Sequence, residues 1–578
     1  MKPTPESSFF PAVKKLGALM KPDAKRLLVA LAAITVSSGL NLLAPYLFGR
    51  AVDSAVRTAD YHGIFFFVGI LFATFIVGFV CQYAQMQLMG RVGQSVLFRL
   101  RNDVFTKLQE LPIAFFNRQK AGDLISRINN DTDKLNQFFS ETLVRFMGGI
   151  FSIIGAGVFI LIINPRLGLA AMAPAIGILI FTQLISRWVK TRTAESLKAV
   201  GGLSGEVQES LDNFKVIVAF NRRDYFQNRF EQANKTNFSA AVRAGIASGL
   251  FSPVYDASAA LAQLIVVGYG IMLISNGTLT LGILLSFLLY VERFYMPLRQ
   301  IATFWSSLQL ALAGWDRVSD ILNQRETLPL LPTAPTESRA SVLEFKNVHF
   351  RYAEGKDVLK KASFALLPGK TYALVGPTGG GKTTTASLMA RLYDPTEGEI
   401  HLNGQDIRSY NPSERTQKIG FILQEPFLFT GSILENIFFG NELYCGTPSD
   451  ERKNALKEAG LDSLLIRFDR DIDCPASTEG NTLSLGQRQL IAFMCAVMRR
   501  PEILILDEAT ANIDTMTERQ LQNVLEKLPK ETTKVIIAHR LNTIKNADEI
   551  FFVNGGEITA AGSFEHAVDM LMHDKRAS

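Results

Sequence analysis

The chain has 578 residues, a formal net charge of +6 and 48% hydrophobic residues, with a mean hydropathy of +0.15. That length exceeds one domain of ordinary size, and the hydropathy is high for a chain with a soluble-looking half. Its four cysteines, Cys81, Cys445, Cys474 and Cys495, show neither paired zinc spacing nor a secreted-scaffold pattern, which argues against a cysteine metal site and a disulfide framework.

Lys14, Lys15, Lys21, Lys25 and Arg26 precede the first apolar run, and further basic residues fill the segment after the second. The positive charge therefore reads as topology, with both segments cytoplasmic, and no nucleic-acid partner is expected. Leu27 to Gly49 and Ile64 to Gly90 are uncharged windows, each long enough to cross a bilayer. The first is too long for a signal h-region and more spans follow, so cleavage is not expected. Phe146 to Ile163 and Leu167 to Ile185 form the next pair, separated by the turn signal Asn164-Pro165-Arg166. Ala257 to Val291 is too long for one span, and Ser275-Asn276-Gly277 breaks it into a fifth and a sixth.

The segments between spans two and three and between four and five are charged, helical in period and too long for turns. They read as cytoplasmic stalks, with short amphipathic elements at Pro112 to Asn117 and Phe214 to Phe220. The expected fold is a six-helix transmembrane domain with long stalks over residues 1–325, a connector at 326–340 and a C-terminal α/β nucleotide-binding domain at 341–578. In that last part Val342 to Phe345 and Val348 to Tyr352 read as two strands across a short turn, and Tyr372 to Val375 as a buried strand. A helix is expected from Thr384 to Leu392.

Between that strand and helix, Gly376-Pro377-Thr378-Gly379-Gly380-Gly381-Lys382-Thr383 has the G-x-x-x-x-G-K-T form. Its glycines let consecutive amides approach polyphosphate oxygens, Lys382 brings a compact positive charge, and Thr383 is placed to ligate Mg2+. Ile503 to Leu506 is an apolar strand ending in Asp507-Glu508, acids suited to Mg2+ placement and water polarisation respectively. Gln424 ends the apolar run Ile419 to Leu423, and His539 follows Val535 to Ala538. At strand ends of an α/β domain both reach the place where ligands gather, although alone each reads more readily as an ordinary polar residue. Tyr352 has two open readings, stacking on adenine or packing into the core.

Taken together, the whole chain resembles an exporter-type ATP-binding cassette half-transporter: six spans, two stalks, then the phosphate loop, Gln424, Leu483-Ser484-Leu485-Gly486-Gln487, Asp507-Glu508 and His539 in that family's order. The resemblance implies ATP and Mg2+ as ligands and a multi-pass location in the cytoplasmic membrane with the nucleotide domain in the cytoplasm. It also makes Tyr352 the adenine-stacking residue, Thr384 part of the nucleotide site and Gln424 a link between Mg2+, nucleotide state and the stalks. Glu508 becomes the residue acting on hydrolytic water, and His539 the switch histidine. Asp514, in Ala511-Asn512-Ile513-Asp514, corresponds to the loop that communicates across paired domains, with Ala511 in place of a commoner serine.

The family pairs two halves head-to-tail, so that each chain's Ser484-Gly486-Gln487 signature faces the other's phosphate loop. Here Leu485 replaces the first of two adjacent glycines, and a bulky side chain obstructs the close approach glycine permits. With Lys382, Glu508 and His539 intact, the chain resembles the catalytically complete member of a heterodimeric multidrug exporter. Its expected partners are a nonidentical half with an intact signature, membrane lipids and an amphipathic small molecule, drug or lipid. Two other readings carry the same motifs: a homodimeric lipid flippase, and a nucleotide-gated channel or regulatory membrane protein.

Overall fold

The computed structural model describes residues 16–58, 61–325, 328–332, 341–352, 355–424, 426–466, 468, 472–473, 475–476, 483–507, 515–537, 546–562 and 564–574. They form two compact units: Met1–Gln109 with Gly122–Gln324, and Glu110–Ala121 with Arg325–Ser578.

Among the described residues, six helical runs are long and apolar enough to cross a membrane. The helices are α1 (Ala24–Thr58), α2 (Tyr61–Glu110), the short α3 (Ile113–Arg118), α4 (Ala121–Ile163), α5 (Pro165–Asp212), the short α6 (Phe214–Ala219), α7 (Arg223–Ser275) and α8 (Leu281–Leu322). Each expected span falls inside one of the long helices, and the expected breaks are where the helices end. Asn164 caps α5 by accepting from the Leu167 amide at 3.1 Å, with Pro165 in the first turn. At the other hairpin Gly277 takes φ +72° and Thr280 caps α8. The short elements expected at the stalk tips are α3 and α6. Within α4, Arg127–Asp131 and Phe138–Thr142 are π-helical, which re-aims the side chains along this helix.

Hydrocarbon offers no donors to main-chain carbonyls, so a proline inside a span leaves an acceptor that the protein must satisfy. Prolines 45, 174 and 297 lie inside α1, α5 and α8. The Tyr290 hydroxyl donates to Leu42 O at 2.6 Å and that of Tyr295 to Ala171 O at 2.9 Å, in the turns opened by Pro45 and Pro174. Ser286 donates to Pro45 O at 2.8 Å. At the outer ends, a β-carbon on Gly49 or on Gly282 would collide with the carbonyl of Gly282 or Gly49, the close helix approach that small residues allow in membranes. Asp53 accepts from Thr280 Oγ1 at 2.6 Å and from the Gly282 amide at 2.9 Å, fixing the start of α8 against α1. At the inner end Arg317 of α8 pairs with Asp131, 3.1 Å away, and with Asp123 of α4.

The second unit has two principal sheets. β1 (Leu343–Arg351), β2 (Asp357–Leu366), β4 (Glu397–Leu402) and β5 (Gln405–Asp406) make an antiparallel sheet ordered β2-β1-β4-β5. β3 (Thr371–Val375), β6 (Ile419–Ile422), β9 (Ile503–Asp507), β10 (Thr533–Ile537), β11 (Glu549–Asn554) and β12 (Glu557–Ala560) make the other, ordered β12-β11-β3-β10-β9-β6. All its pairings are parallel except β11 with β12. β7 (Gly431–Ser432) and β8 (Pro475–Ala476) pair separately. Continuous apolar runs such as Ile503 to Leu506 are buried throughout, as a sheet covered on both faces requires. Phe345, Leu359, Tyr372, Leu374 and Leu388 fill the space between the sheets and the helix after the phosphate loop.

Two sequence expectations are corrected. The strands expected on either side of residues 346–347 are one strand, β1, because Asn347 takes φ +49° and absorbs an irregularity in pairing between Phe345 and Val348. Its amide is satisfied by Ser363 Oγ at 2.9 Å. The helix after the phosphate loop, α9, runs Lys382–Met389, starting earlier and ending sooner than expected because Arg391 turns the chain with φ +52°.

Candidate nucleotide site

Parallel register brings the site together. Leu374 of β3 lies opposite Ile537 of β10, Ile537 opposite Asp507 of β9, and Leu506 opposite Ile422 of β6. Four strands thus end at one edge, the ligand-binding edge of an open parallel sheet. The phosphate loop, Asp507 and Gln424 all follow from that edge.

Thr378, Gly379, Gly380 and Gly381 carry the loop from β3 into α9. Gly376 is required twice over: φ is +146° and a β-carbon would strike Val553 O. Gly379 also has positive φ, +84°, but a β-carbon there would meet nothing within 4 Å, so its open side faces the space a ligand would take. Lys382 is buried and its Nζ donates to Gly376 O at 2.9 Å and Pro377 O at 3.0 Å. The ammonium is therefore held inside the curve of the loop, at the N-terminus of α9, where anions are favoured. Thr383 Oγ1 lies 3.5 Å from Asp507 Oδ1. A hydroxyl and a buried carboxylate beside a lysine-bearing amide loop are hard oxygen donors that fit Mg2+ on a polyphosphate.

Tyr352 follows β1. The residue is 39% exposed, its ring meets Phe350 edge-on at 4.9 Å and Tyr393 at 5.4 Å, and its hydroxyl lies 3.0 Å from Thr384 Oγ1. The Tyr393 hydroxyl in turn accepts from Asn117 Nδ2 at 2.7 Å. Asn117 belongs to α3, whose residues cluster with the second unit. A contact chain thus runs from the stalk tip through Asn117, Tyr393 and Tyr352 to the phosphate-loop helix. Sequence reasoning missed Tyr393 and gave Asn117 no role, since their contact spans 276 positions and has no periodic signature. Burial, with Tyr352 adding to it, pushes the Tyr393 phenol above its usual range despite the Asn117 hydrogen bond.

Gln424 is exposed just beyond β6. The chain after it is pinned by buried Asn436, whose side chain accepts from the Phe429 amide at 2.7 Å and donates to Phe429 O at 2.9 Å. This leaves Phe427, Phe429 and Phe439 exposed along a groove of about 280 Å³.

The signature segment opens α10 (Leu485–Met498). Ser484 caps it, Oγ accepting from the Gln487 amide at 3.2 Å while the Ser484 amide donates to Gln487 Oε1 at 2.9 Å, a reciprocal capping box. Leu485 and Gly486 form the first turn, so their amides point out of the helix end. Leu485 is half-buried and has ordinary helical backbone. Its backbone carries no strain. Glu508, Ala511, Asp514 and His539 lie outside the described residues.

Residues 27–298 match the family described as ABC transporter transmembrane region, and residues 359–511 the family described as ABC transporter. The chain is 32% identical over 547 residues to an uncharacterized ABC transporter ATP-binding protein of Bacillus subtilis, covering 94% of this chain and 89% of the relative. It is 31% identical over 526 residues to a fatty acid ABC transporter ATP-binding/permease protein of Mycobacterium tuberculosis, covering 91% and 81%. Against a probable multidrug resistance ABC transporter ATP-binding/permease protein of Bacillus subtilis it is 32% identical over 488 residues, covering 84% and 72%.

Proposed function

Because the chain belongs to the ABC transporter family, as an exporter-type half with a six-span membrane domain fused to one ATP-binding domain, we propose that it exports amphipathic drugs or lipids across the cytoplasmic membrane as one half of a heterodimer. ATP hydrolysis coupled to transport is its activity. Lys382 and the loop amides hold the polyphosphate. Thr383 and Asp507 would hold Mg2+, with Gln424 as a further ligand, and the ion would supply charge neutralisation on the phosphate oxygens. Tyr352 receives adenine on its exposed face. Glu508, next after β9, polarises the attacking water, His539, just beyond β10, contacts the terminal phosphate, and Asp514 communicates with the opposite half.

The observation that carries the heterodimer reading is Leu485. At the first turn of α10 its isobutyl group stands where the signature must approach the partner's triphosphate, so this chain's signature caps a weakened site. Its own phosphate loop and Glu508 then need a partner signature with glycine at that position. Exposed apolar residues on and just after α6, Phe214, Val216 and Phe220, and the aromatic groove at Phe427 and Phe429 support a second chain as their cover. Alternating access follows if nucleotide-driven closure and substrate each favour a different membrane-domain state. The relatives named for fatty acids and for multidrug resistance support apolar cargo.

Reconstitution of the natively purified assembly tests this. ATP-dependent accumulation of a labelled amphiphile in inverted vesicles is the expected result. Dissipation of a gradient without accumulation would replace the pump by a channel, and full transport by this chain alone would remove the second, nonidentical half.

A further inference from the structure

Arg293 stands twelve residues after Leu281, the first of α8, about 18 Å along the helix; it lies just past the charge-free window that ends at Val291, but a span of roughly 20 residues counted from Leu281 takes it in. It is half-buried, and it makes no ion pair with any described residue. An unneutralised guanidinium at that depth is costly and marks a working site.

It opens on a cavity of about 230 Å³ between α1, α2, α4 and α8. The wall is polar in a way hydrocarbon does not require: Ser38, Asn41, Gln82, Gln85 and Gln300 line it with Arg293, and no acidic residue does. Gly148 of α4 leaves space there, since a β-carbon on it would meet nothing within 4 Å, whereas Gly149 lets Pro297 come close, a β-carbon on it falling 3.2 Å from that ring. Pro297 lies inside the helix one turn after Arg293 and lacks the amide that would bond to the Arg293 carbonyl, and Ser152 satisfies that carbonyl. The local main chain is thus held independently of the guanidinium, which stays available. Gln300 also lines a second cavity toward the inner end, where Arg145 is already paired with Glu141 at 3.8 Å. Of these two cavities, among the described residues, only the first is lined by an arginine without an acidic partner.

We propose that this cavity seats the polar head of the exported amphiphile, and that the head is an anionic oxyacid, carboxylate or phosphate, held by Arg293 and the surrounding amides. The guanidinium presents paired donors that match either group, and the carboxamide and hydroxyl side chains supply the rest. The apolar tail remains outside the cavity. This assignment rests on the export reading above and names its substrate class.

The test uses the assembly purified through a tag on this chain, reconstituted in phosphatidylcholine vesicles, with three probes of one chain length: palmitate, a palmitoyl lysophosphatidic acid and a palmitoyl monoglyceride. Half-maximal concentrations for ATPase stimulation and for transport are expected at least about tenfold lower for an anionic probe than for the neutral one, the size of one charge-assisted hydrogen bond. The ranking of the two anionic probes separates carboxylate from phosphate. Arg293→Ala abolishes the preference, Arg293→Lys keeps most of it, and Gly148→Leu weakens all three probes by filling the cavity. Nucleotide affinity and thermal unfolding, measured on each variant, separate these effects from misfolding. Unchanged selectivity in Arg293→Ala overturns the proposal, as does loss of the co-purified partner with selectivity intact, which would make Arg293 an interface residue. A wild-type assembly that exports the neutral probe best also overturns it and leaves the export reading standing. Export of none of the probes would count against both.

Discussion

Ser152 donates from Oγ to the main-chain carbonyl of Arg293 at 3.0 Å, the carbonyl whose intrahelical donor would have been the amide that Pro297 lacks. The bond joins α4 to α8 at the carbonyl that Pro297 leaves without its intrahelical donor. Ser152→Ala should lower the unfolding midpoint in detergent by the equivalent of about 0.6 kcal/mol, the mean for such bonds in membranes. In the Pro297→Ala background the same change should cost much less, because an alanine at that position restores the amide. An equal loss in both backgrounds would show that Ser152 acts by packing.

Lys382 is enclosed by its own loop, so its charge is organised before any phosphate arrives. Lys382→Ala should weaken ATP binding, read by titration with a fluorescent nucleotide, while leaving the fold intact. Glu508→Gln should do the reverse, keeping ATP affinity and cutting steady-state hydrolysis by about a hundredfold or more, as expected for loss of a general base. Near-normal turnover in the assembly would remove Glu508 from that role.

The Asn117 to Tyr393 hydrogen bond ties α3 to the aromatic group beside the phosphate-loop helix. Asn117→Ala and Tyr393→Phe should each reduce stimulation of the ATPase by amphiphile while unstimulated ATP affinity holds, and the double variant should be no worse than either alone. Additive losses would mean that the two residues act separately. Since burial raises the Tyr393 phenol, it stays protonated as the pH rises into the mildly alkaline range, and the coupling should persist there.

How far the sequence revealed this molecule depends on whether the signal was local. Charge-free windows located every span, and Asn164-Pro165 and Asn276-Gly277 their breaks, because lipid crossing is a property of contiguous residues. The strand ending at Val375 was legible for the same reason. β1 was not read as one strand, since Asn347 in a left-handed conformation looks like a turn until its neighbours on β2 and β4 hold both sides in one sheet. Asn117, Tyr393 and the polar wall around Arg293 depend on which helix faces meet. That Pro297 follows Arg293 by one turn is a matter of sequence, but Ser152 serving the freed carbonyl is a fact of packing between α4 and α8.

Asp53 holds the start of α8 through Thr280 and the Gly282 amide, and the Gly49 to Gly282 contact brings the two helices together there. Gly282→Leu should therefore separate the outer ends of α1 and α8 and lower the thermal midpoint far more than Gly39→Leu, where a β-carbon would meet nothing within 4 Å. Comparable losses would mean that the close approach contributes little.

Leu485 leads to the prediction with the widest consequence. Purification through a tag on this chain from its native membrane should recover a related, nonidentical half-transporter in about equal amount. That partner should carry glycine at the position of Leu485 and an altered counterpart of Glu508 or His539. Because the Leu485 backbone is ordinary helix, Leu485→Gly should leave α10 folded apart from glycine's cost, up to about 1 kcal/mol in a helix interior and less at a first turn. Its effect should fall on the site formed with the partner's phosphate loop, whereas Glu508→Gln should act on the site formed with this chain's own. Nucleotide trapping read separately at the two phosphate loops distinguishes them: Leu485→Gly raises occupancy at the partner's loop, and Glu508→Gln traps ATP at Lys382. Should this chain alone assemble and hydrolyse ATP at two equivalent sites, Leu485 would be tolerated variation in a homodimer. Family membership and ATP-driven transport would be untouched, because they rest on the six spans and the nucleotide motifs and not on this side chain.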